Sequence, residues 1–254
     1  MLQVNNVTKR FGGVCAVDNL SFKVEKGTIH SIIGPNGAGK TTLVNMITGV
    51  YKVDSGTVFL DGSDITNIAT NKLVYRGICR TFQHLEICDN LTVLENIMLG
   101  FDKNMDKNLI KSCLKFQSII DDEKRYKQRA LHLLSLINLE DFADQKAKNL
   151  SYGILKKLEI IRALATSPEL ILLDEPVAGL NPKETAEVSA LIKTVVADEV
   201  TIILIEHDMK MIMDISDHIT VINFGKKLAE GTPNEIVNNK DVIEAYLGSG
   251  ALHE

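Results

Sequence analysis

The sequence contains no tryptophan, and aromatic residues make up only 5% of its 254 residues. Its four cysteines lie far apart and form no C-x-x-C pair, so we expect neither a metal site nor a disulfide framework built on them. The formal net charge of −5 gives no sign of a nucleic-acid-binding surface. No apolar run approaches the roughly 18 residues of a membrane span. We therefore expect a protein that does not itself cross a membrane and that folds in a reducing compartment.

The most informative segment that is present is a glycine-rich loop at residues 34–42. It matches the complete G-x-x-x-x-G-K-[ST] pattern, in which glycines allow successive backbone N–H groups to surround a phosphate. Lys40 is expected to reach the β- and γ-phosphates of a nucleotide, and the Thr41 hydroxyl to be a ligand of Mg²⁺. The candidate nucleotide-binding residues of the loop are Gly34, Pro35, Asn36, Gly37, Ala38, Gly39, Lys40, Thr41 and Thr42.

The sequence on either side of this loop supports the same interpretation. Residues 28–33 are mostly apolar and β-branched, which predicts a buried strand. Residues 42–49 have the pattern of a helix that ends at a glycine. A strand, a glycine loop and a helix in this order place a helix N-terminus, with its partial positive charge, against the bound phosphates.

Hydrophobic periodicity divides the rest of the chain into three regions. Before the loop, apolar residues alternate with polar ones and predict β-strands. From about residue 91 to 165 the spacing becomes that of helices, with a short amphipathic helix allowed at 109–116 and an apolar stripe formed by Tyr126, Ala130, Leu133, Leu134 and Ile137. Beyond 170 strands and helices alternate again. We expect a helix that starts at Asn181 as N-cap with Glu184 three residues on, a strand at 201–205, and a hairpin with its turn at 223–226. We predict an α/β P-loop NTPase fold in a single domain spanning 1–254. It has an N-terminal antiparallel β layer and an inserted helical subdomain at about 85–165.

Two adjacent carboxylates end the apolar strand predicted at 170–173. In P-loop ATPases an aspartate at this position holds Mg²⁺, usually through water, and a neighbouring glutamate orients the attacking water. We assign Asp174 to the metal and Glu175 to general-base catalysis. Because a GTPase-like site would not need the second acid, the pair favours an ATPase.

A second candidate anion site begins a helix at residues 149–153, with the sequence Asn-Leu-Ser-Tyr-Gly. Serine is a good N-cap residue, and a helix that begins Ser-x-Gly presents backbone N–H groups to an anion. Many ordinary helices begin in the same way. This segment therefore indicates an anion site only in combination with the phosphate loop and the paired carboxylates described above.

In their order and spacing these motifs resemble those of the ATP-binding cassette (ABC) transporter ATPases, over nearly the whole chain. Leu150-Ser151-Tyr152-Gly153 is similar to the family signature, whose commonest form is Leu-Ser-Gly-Gly-Gln. The other matching segments are Phe11 for the aromatic that stacks on adenine, Arg80-Thr81-Phe82-Gln83 for the glutamine loop, Ala178-Gly179-Leu180-Asn181 for the loop after the catalytic glutamate, and Glu206-His207-Asp208 for the switch histidine.

The resemblance implies a role for each of these segments. In this family two cassettes pair head to tail, and each ATP lies between the phosphate loop of one cassette and the signature of the other. Ser151 and Gly153 would accordingly act in trans on the partner's nucleotide. His207 would contact the γ-phosphate, and Gln83 would join the metal site and link it to the membrane partner.

Three of these residues have a plainer interpretation when each is taken alone. Phe11 would be an aromatic of a hairpin core, Gln83 a surface glutamine, and His207 a helix-cap or loop histidine. Two further positions depart from the family pattern. Ile154 stands where the signature usually has Gln or Glu, and Asn181 replaces the commoner Asp of its loop.

Within the family, the segments Leu-Ser-Tyr-Gly, Ala-Gly-Leu-Asn-Pro and Glu-His-Asp-Met, together with residues 242–248, resemble one of the two ATPase subunits of branched-chain amino-acid importers. The resemblance implies ATP and Mg²⁺ as cofactors and a peripheral position on the cytoplasmic face of the membrane. The implied partners are a second ABC ATPase subunit, in a homo- or heterodimer, two transmembrane permease subunits and, indirectly, a solute-binding protein.

Three other functions stay open at this point. The chain could power an ABC transporter for another solute, such as urea or an exported lipid. It could be a soluble, non-transport ABC ATPase that acts on ribosomes or DNA, although such proteins usually carry two cassettes. A non-catalytic nucleotide-binding module is disfavoured because Glu175 and His207 are both present.

Overall fold

A computed structural model describes residues 1–81, 85–104 and 117–247. Gln83 and the short helix allowed at 109–116 lie outside the described residues. The chain divides into two compact units. The first comprises Met1–Arg80, Glu169–Pro176 and Ile192–Glu254, and the second comprises Thr81–Pro168 and Val177–Leu191.

The strands of the described residues, in chain order, are β1 (Leu2–Phe11), β2 (Val14–Val24), β3 (Ile29–Ile33), β4 (Ser55–Leu60), β5 (Ser63–Asp64), β6 (Ile78–Arg80), β7 (Leu170–Asp174), β8 (Thr201–Ile205), β9 (His218–Asn223) and β10 (Lys226–Gly231). The α-helices are α1 (Lys40–Ile47), α2 (Thr70–Leu73), α3 (Val93–Met98), α4 (Gln117–Ser135), α5 (Tyr152–Ala165), α6 (Pro182–Ala197), α7 (Met209–Ile215), α8 (Pro233–Val237) and α9 (Lys240–Leu247). No helix in these described ranges is long and apolar enough to cross a membrane.

A six-stranded sheet lies at the centre of the first unit, with the strand order β10-β9-β3-β8-β7-β6. All neighbouring pairs are parallel except β9 and β10. Every residue of β3, β7 and β8 is buried. Strands that are covered on both faces are mostly apolar along their length, which is why these three segments show no alternation of apolar and polar residues. The buried strands predicted from the sequence are confirmed.

The N-terminal layer of the first unit is an antiparallel sheet with the order β2-β1-β4-β5. In β1, Leu2, Val4 and Val7 are buried, whereas Gln3 is exposed, as expected for a sheet with one face on the core. The buried face contributes to the same hydrophobic cluster as Leu43 of α1. The predicted N-terminal antiparallel β layer is confirmed.

The hairpin predicted between β9 and β10 is also confirmed. Its two-residue turn is Phe224-Gly225, with φ of 46° and 76°. Positive φ at both central residues is the type I′ geometry that matches the twist of the flanking strands. Phe224, at the tip, is highly exposed.

The second unit is mainly helical. Along α4, Tyr126, Ala130 and Leu134 are buried at intervals of four residues, which is the apolar stripe predicted from the sequence. The ring of Phe101 stacks on Tyr126 with a centroid separation of 5.1 Å. Helix α3 begins with a capping box, in which the Thr92 hydroxyl accepts from a backbone N–H while a carboxylate three residues on accepts from Thr92 N.

A buried histidine makes the first unit sensitive to acid. His30, in β3, shares a 2.8 Å hydrogen bond between its Nε2 and the Thr220 hydroxyl, and its ring lies against Phe22 and His218. Burial, followed by the charges of His218 and Lys227, lowers the pKa of His30 from 6.5 to about 4. The folded protein therefore keeps this ring neutral at a pH at which the unfolded chain binds a proton.

We predict that His30 imposes no loss of stability above pH 6.5, and that the free energy of unfolding decreases as the pH drops from 6.5 toward 4. The loss reaches about 3 kcal/mol, because each unit of pKa shift corresponds to about 1.4 kcal/mol. Urea unfolding followed by circular dichroism should give a flatter pH dependence for His30→Gln. His132→Gln, at an exposed position of α4, serves as the control. Parallel curves for the wild type and His30→Gln would contradict this prediction.

Candidate functional site

Residues 34–39 connect β3 to α1 in the first unit, and residues 40–42 form the start of α1. The Lys40 ammonium donates hydrogen bonds to the backbone oxygens of Gly34 and Pro35, at 2.6 and 3.1 Å, and so holds the loop in a closed turn. Helix α1 begins after Gly39, and among the described residues no side chain caps its N-terminus and no acid lies in its first turn. The N–H groups of that turn are thus arranged to receive an anion.

The loop is braced by two other parts of the first unit. The backbone N–H of Gly225, in the β9–β10 turn, donates to the oxygen of Ala38 at 2.9 Å, and Asp18 N donates to Gly225 O at 2.8 Å. Gly39 has a φ of +103°, and a Cβ added there would collide with the backbone oxygen of Ala16. Only glycine allows β2 and the hairpin turn to approach the loop this closely.

The two predicted carboxylates follow one another at the end of β7 but have different surroundings. Asp174 is buried, and its Oδ2 accepts a hydrogen bond from Nη2 of Arg80 at 2.7 Å. Glu175 has a φ of +50°, a left-handed conformation that is uncommon for a residue with a side chain, and its N–H donates to Ile205 O at 2.9 Å. Its side chain is 24% exposed, against 7% for Asp174.

Lys40 connects the loop electrostatically to these carboxylates. Burial lowers the pKa of Lys40, whereas the charges of Glu175 and Asp174 raise it. The phosphate loop and the two acids therefore form one electrostatic unit at the same edge of the sheet.

His207 lies beside the exposed carboxylate. Its Nδ1 is 3.7 Å from Oε1 of Glu175 and 3.7 Å from Oε2 of Glu206, and its ring is 68% exposed. The Asp208 side chain, rather than His207, caps α7 by accepting from Met211 N. The plainer interpretation of His207 as a helix cap is thereby excluded.

Glu206 and Arg80 are two members of this site for which the sequence predicts no separate role. Glu206 is buried, and its Oε2 accepts the N–H of His207 at 2.8 Å and that of Asp208 at 3.3 Å. For Glu206, the signal in the sequence is a carboxylate directly after the apolar run of β8. Arg80 carries a similar signal, since a charged residue ends the short apolar strand β6.

Phe11 lies at the end of β1 and is 44% exposed, so it is not a buried hairpin residue. The Tyr51 ring packs edge-on against it at a centroid distance of 5.2 Å, and the Lys9 ammonium lies 5.5 Å from the Phe11 centroid. An aromatic ring supported on one side and open on the other can stack on a planar base.

The oxygen atoms at this site fit a magnesium ion that is held together with a nucleotide. Thr41 offers an exposed hydroxyl in the first turn of α1, and Asp174 offers a carboxylate. Among the described residues no group of three His, Cys, Asp or Glu side chains could hold a metal ion by itself. Mg²⁺ characteristically takes one or two protein oxygens and completes its shell with phosphate oxygens and water.

The signature segment belongs to the second unit. Ser151 occupies the N-cap position of α5, as predicted, but among the described residues its hydroxyl makes no capping bond. It is exposed, and Ile154 is half-buried one turn later. An exposed serine at a helix N-terminus that it does not cap is an arrangement that can receive an anion.

Gly153 packs closely against a carboxylate within the second unit. A Cβ added at Gly153 would lie 2.5 Å from Oε1 of Glu184. Glu184 is held in place because its Oε2 accepts from Asn181 N at 3.1 Å, while the Asn181 side chain accepts from Glu184 N at 3.0 Å. This capping box starts α6 as predicted, and it fixes the carboxylate against the signature.

Comparison with known proteins agrees with this geometry. Residues 17–178 match the family model described as ABC transporter. The chain belongs to the ABC transporter family. Residues 226–251 also match a model described as branched-chain amino acid ATP-binding cassette transporter.

Similar ABC proteins cover almost the whole chain. The high-affinity branched-chain amino acid transport ATP-binding proteins BraF of Pseudomonas aeruginosa and LivG of Escherichia coli K12 are each 44% identical over 249 residues, 98% of this chain and 98% of the relative. The solved ADP conformation of MJ1267, an ATP-binding cassette of an ABC transporter, superimposes with a TM-score of 0.85 at 35% identity and 98% coverage of both chains.

The comparisons settle the general class that the sequence predicts. The P-loop ABC fold is confirmed, and the chain is a nucleotide-binding ATPase of this family. The individual roles of the site residues, the role of Gln83 and the single-domain organisation with an insert at about 85–165 remain predictions.

We predict that Gly153→Ala destabilises the protein by about 1–2 kcal/mol, because the new methyl group displaces the Glu184 carboxylate from its cap. In a Glu184→Ala background the same change should be neutral or slightly stabilising, since alanine is favoured over glycine within a helix by about 1 kcal/mol. Urea unfolding of the four proteins by circular dichroism completes the double-mutant cycle. An equal cost in both backgrounds would show that the contact is unimportant.

Proposed function

We propose that this chain is the ATP-hydrolysing subunit of a membrane importer for branched-chain amino acids. The observation that carries the proposal is the full-length similarity to ATP-binding proteins of branched-chain amino acid transport, together with the match of residues 226–251. The chain would lie on the cytoplasmic face of the membrane, beneath two transmembrane permease subunits fed by a solute-binding protein. A second ABC ATPase subunit would complete the motor.

In this proposal residues 34–42 bind the phosphates of ATP and Phe11 stacks on the adenine. Thr41 and Asp174 hold Mg²⁺, with Gln83 completing the metal site. When bound, Mg²⁺ neutralises the charge that develops on the transferred phosphoryl group. Lys40 adds a second positive charge to the β- and γ-phosphates, and its two hydrogen bonds to the loop are exchanged for phosphate contacts.

Glu175 is the proposed general base. Its left-handed backbone and partial exposure hold one carboxylate outward, while neighbouring Asp174 stays buried. His207, 3.7 Å from Glu175, orients that carboxylate and contacts the γ-phosphate. Glu206 is a positioning residue, because its two backbone hydrogen bonds fix the turn that carries His207.

Completion of the site requires a second cassette. Ser151 and Gly153 act in trans: the exposed serine hydroxyl and the α5 N-terminus bind the γ-phosphate of the nucleotide on the partner cassette. Ile154 replaces a polar residue of the common signature and removes one polar contact near that nucleotide. Hydrolysis is thereby coupled to association of the two cassettes.

We predict that Glu175→Gln lowers the rate of ATP hydrolysis at least about 100-fold, since general-base catalysis contributes roughly 10²–10⁴. ATP binding should be retained and a closed dimer should accumulate, because the amide keeps the shape of the side chain. Phosphate release and the equilibrium binding of a fluorescent ATP analogue measure the two effects. Glu25→Gln makes the same chemical change at an exposed position outside the site. Undiminished hydrolysis in Glu175→Gln would contradict the general-base role.

The transport function can be tested in a strain that lacks this chain and any redundant branched-chain amino-acid importer. Restoring the unaltered chain should restore uptake of radiolabelled leucine, with competition by isoleucine and valine. Restoring Glu175→Gln should not, although both proteins should co-purify with the two permease subunits from mild detergent.

If the strain that lacks this chain keeps its leucine uptake but loses urea uptake or lipid export, the chain powers a transporter for that other solute. Recovery of the chain only with ribosomes or DNA-repair proteins would remove the transport function and leave an ABC ATPase of the soluble class.

A further inference from the structure

Arg80 occupies a position in the first unit that the proposed chemistry does not use. It is the last residue of β6, which pairs in parallel with β7, and its side chain is only 10% exposed. Its Nη2 donates to Oδ2 of Asp174 at 2.7 Å. The carboxylate assigned to the metal therefore already has a positively charged partner from the protein.

The other arm of the guanidinium reaches α1. Nη1 of Arg80 donates to Oδ1 of Asn45 at 2.5 Å and lies 3.3 Å from the hydroxyl of Thr48. Helix α1 is the helix that starts with the phosphate loop. One planar side chain thus joins the ends of β6 and β7 to α1 and fixes Asp174 relative to the turn that carries Thr41.

The electrostatic consequence follows from the burial of this pair. In a poorly hydrated setting a carboxylate is stable only with a nearby cation, and removing the cation leaves a costly negative charge. A divalent cation that approaches Asp174 is repelled by the positive charge of Arg80. It is also repelled by Lys40, whose pKa is raised by the charge of the same carboxylate. Repulsion between like charges is strong where water is scarce.

We propose that Arg80 is a positioning and specificity residue of the metal site, which excludes a divalent cation that arrives alone and admits Mg²⁺ only with the phosphates of a nucleotide. The phosphates supply the negative charge that outweighs the two protein cations. This inference rests on the proposed assignment of Asp174 to the metal.

The test is Mn²⁺ binding to the full-length chain without nucleotide, measured by the electron paramagnetic resonance signal of free Mn²⁺. The unaltered chain should bind weakly. Arg80→Met and Arg80→Gln should each bind Mn²⁺ at least about tenfold more tightly, because one unit of positive charge is removed beside the carboxylate. Arg80→Lys keeps the charge but not the two-armed contact, so any gain in Mn²⁺ affinity should be clearly smaller than in Arg80→Met and Arg80→Gln. Arg80→Met combined with Asp174→Asn should lose the gained site.

A variant that tolerates mutation more easily tests the same idea. Asn45→Ala removes one anchor of the guanidinium at a half-buried position and favours the helix, so it should fold. It should tighten Mn²⁺ binding by an intermediate factor of about two to three, since Arg80 keeps its charge but loses part of its orientation. Circular dichroism and thermal unfolding establish that each variant is folded before binding is measured.

The outcomes separate this role from a structural one and from failure of the proposed site. Equal Mn²⁺ affinity in the unaltered chain, Arg80→Met, Arg80→Gln and Asn45→Ala would overturn the role of Arg80. A gained site that persists after Asp174→Asn would also overturn it. Binding of Mn²⁺–ATP to the unaltered chain, measured in parallel, tests the proposed nucleotide site itself: if it fails, the proposed function fails, whatever Arg80 does.

Discussion

The register of three neighbouring parallel strands is the constraint on which the whole nucleotide site depends. Ile32 in β3 and Asp174 in β7 both pair with Ile205 in β8. Parallel strands end at one edge of a sheet, so whatever follows each strand is brought together there. The phosphate loop follows β3, Glu175 follows β7, and Glu206 and His207 follow β8. A shift of one residue in any of the three strands would turn its functional side chain away from the others.

Charge compensation then decides how these side chains share one edge. Asp174 and Glu175 act on Lys40 of the loop, and the buried acid Glu206 lies 3.7 Å from His207; such groups are stable only with cations or backbone donors nearby. Lys40 and Arg80 supply the cations for the pair that follows β7. For Glu206 the backbone N–H groups of the next turn take this role. The protein itself therefore compensates much of the negative charge at this edge of the sheet.

Local patterns predicted most of the fold, and long-range contacts account for what they missed. The strand, loop and helix around Lys40, the paired acids and the capping box at Asn181 are each encoded within a few residues, so their positions could be read directly. The bond from Arg80 to Asp174 joins residues far apart in the chain, and nothing beside either residue indicates the other. The left-handed backbone of Glu175 and the unused cap of Ser151 likewise depend on tertiary surroundings rather than on local preference.

The brace between Gly225 and the phosphate loop links the order of synthesis to the formation of the site. The loop is synthesised well before β8, β9 and the hairpin turn that hold it. A nascent chain therefore contains the complete motif, together with β1 and β2, before the strands and the turn that complete its support. The loop reaches its braced form only when residues through Gly225 have folded, and a nucleotide that binds this form alone would stabilise it by mass action.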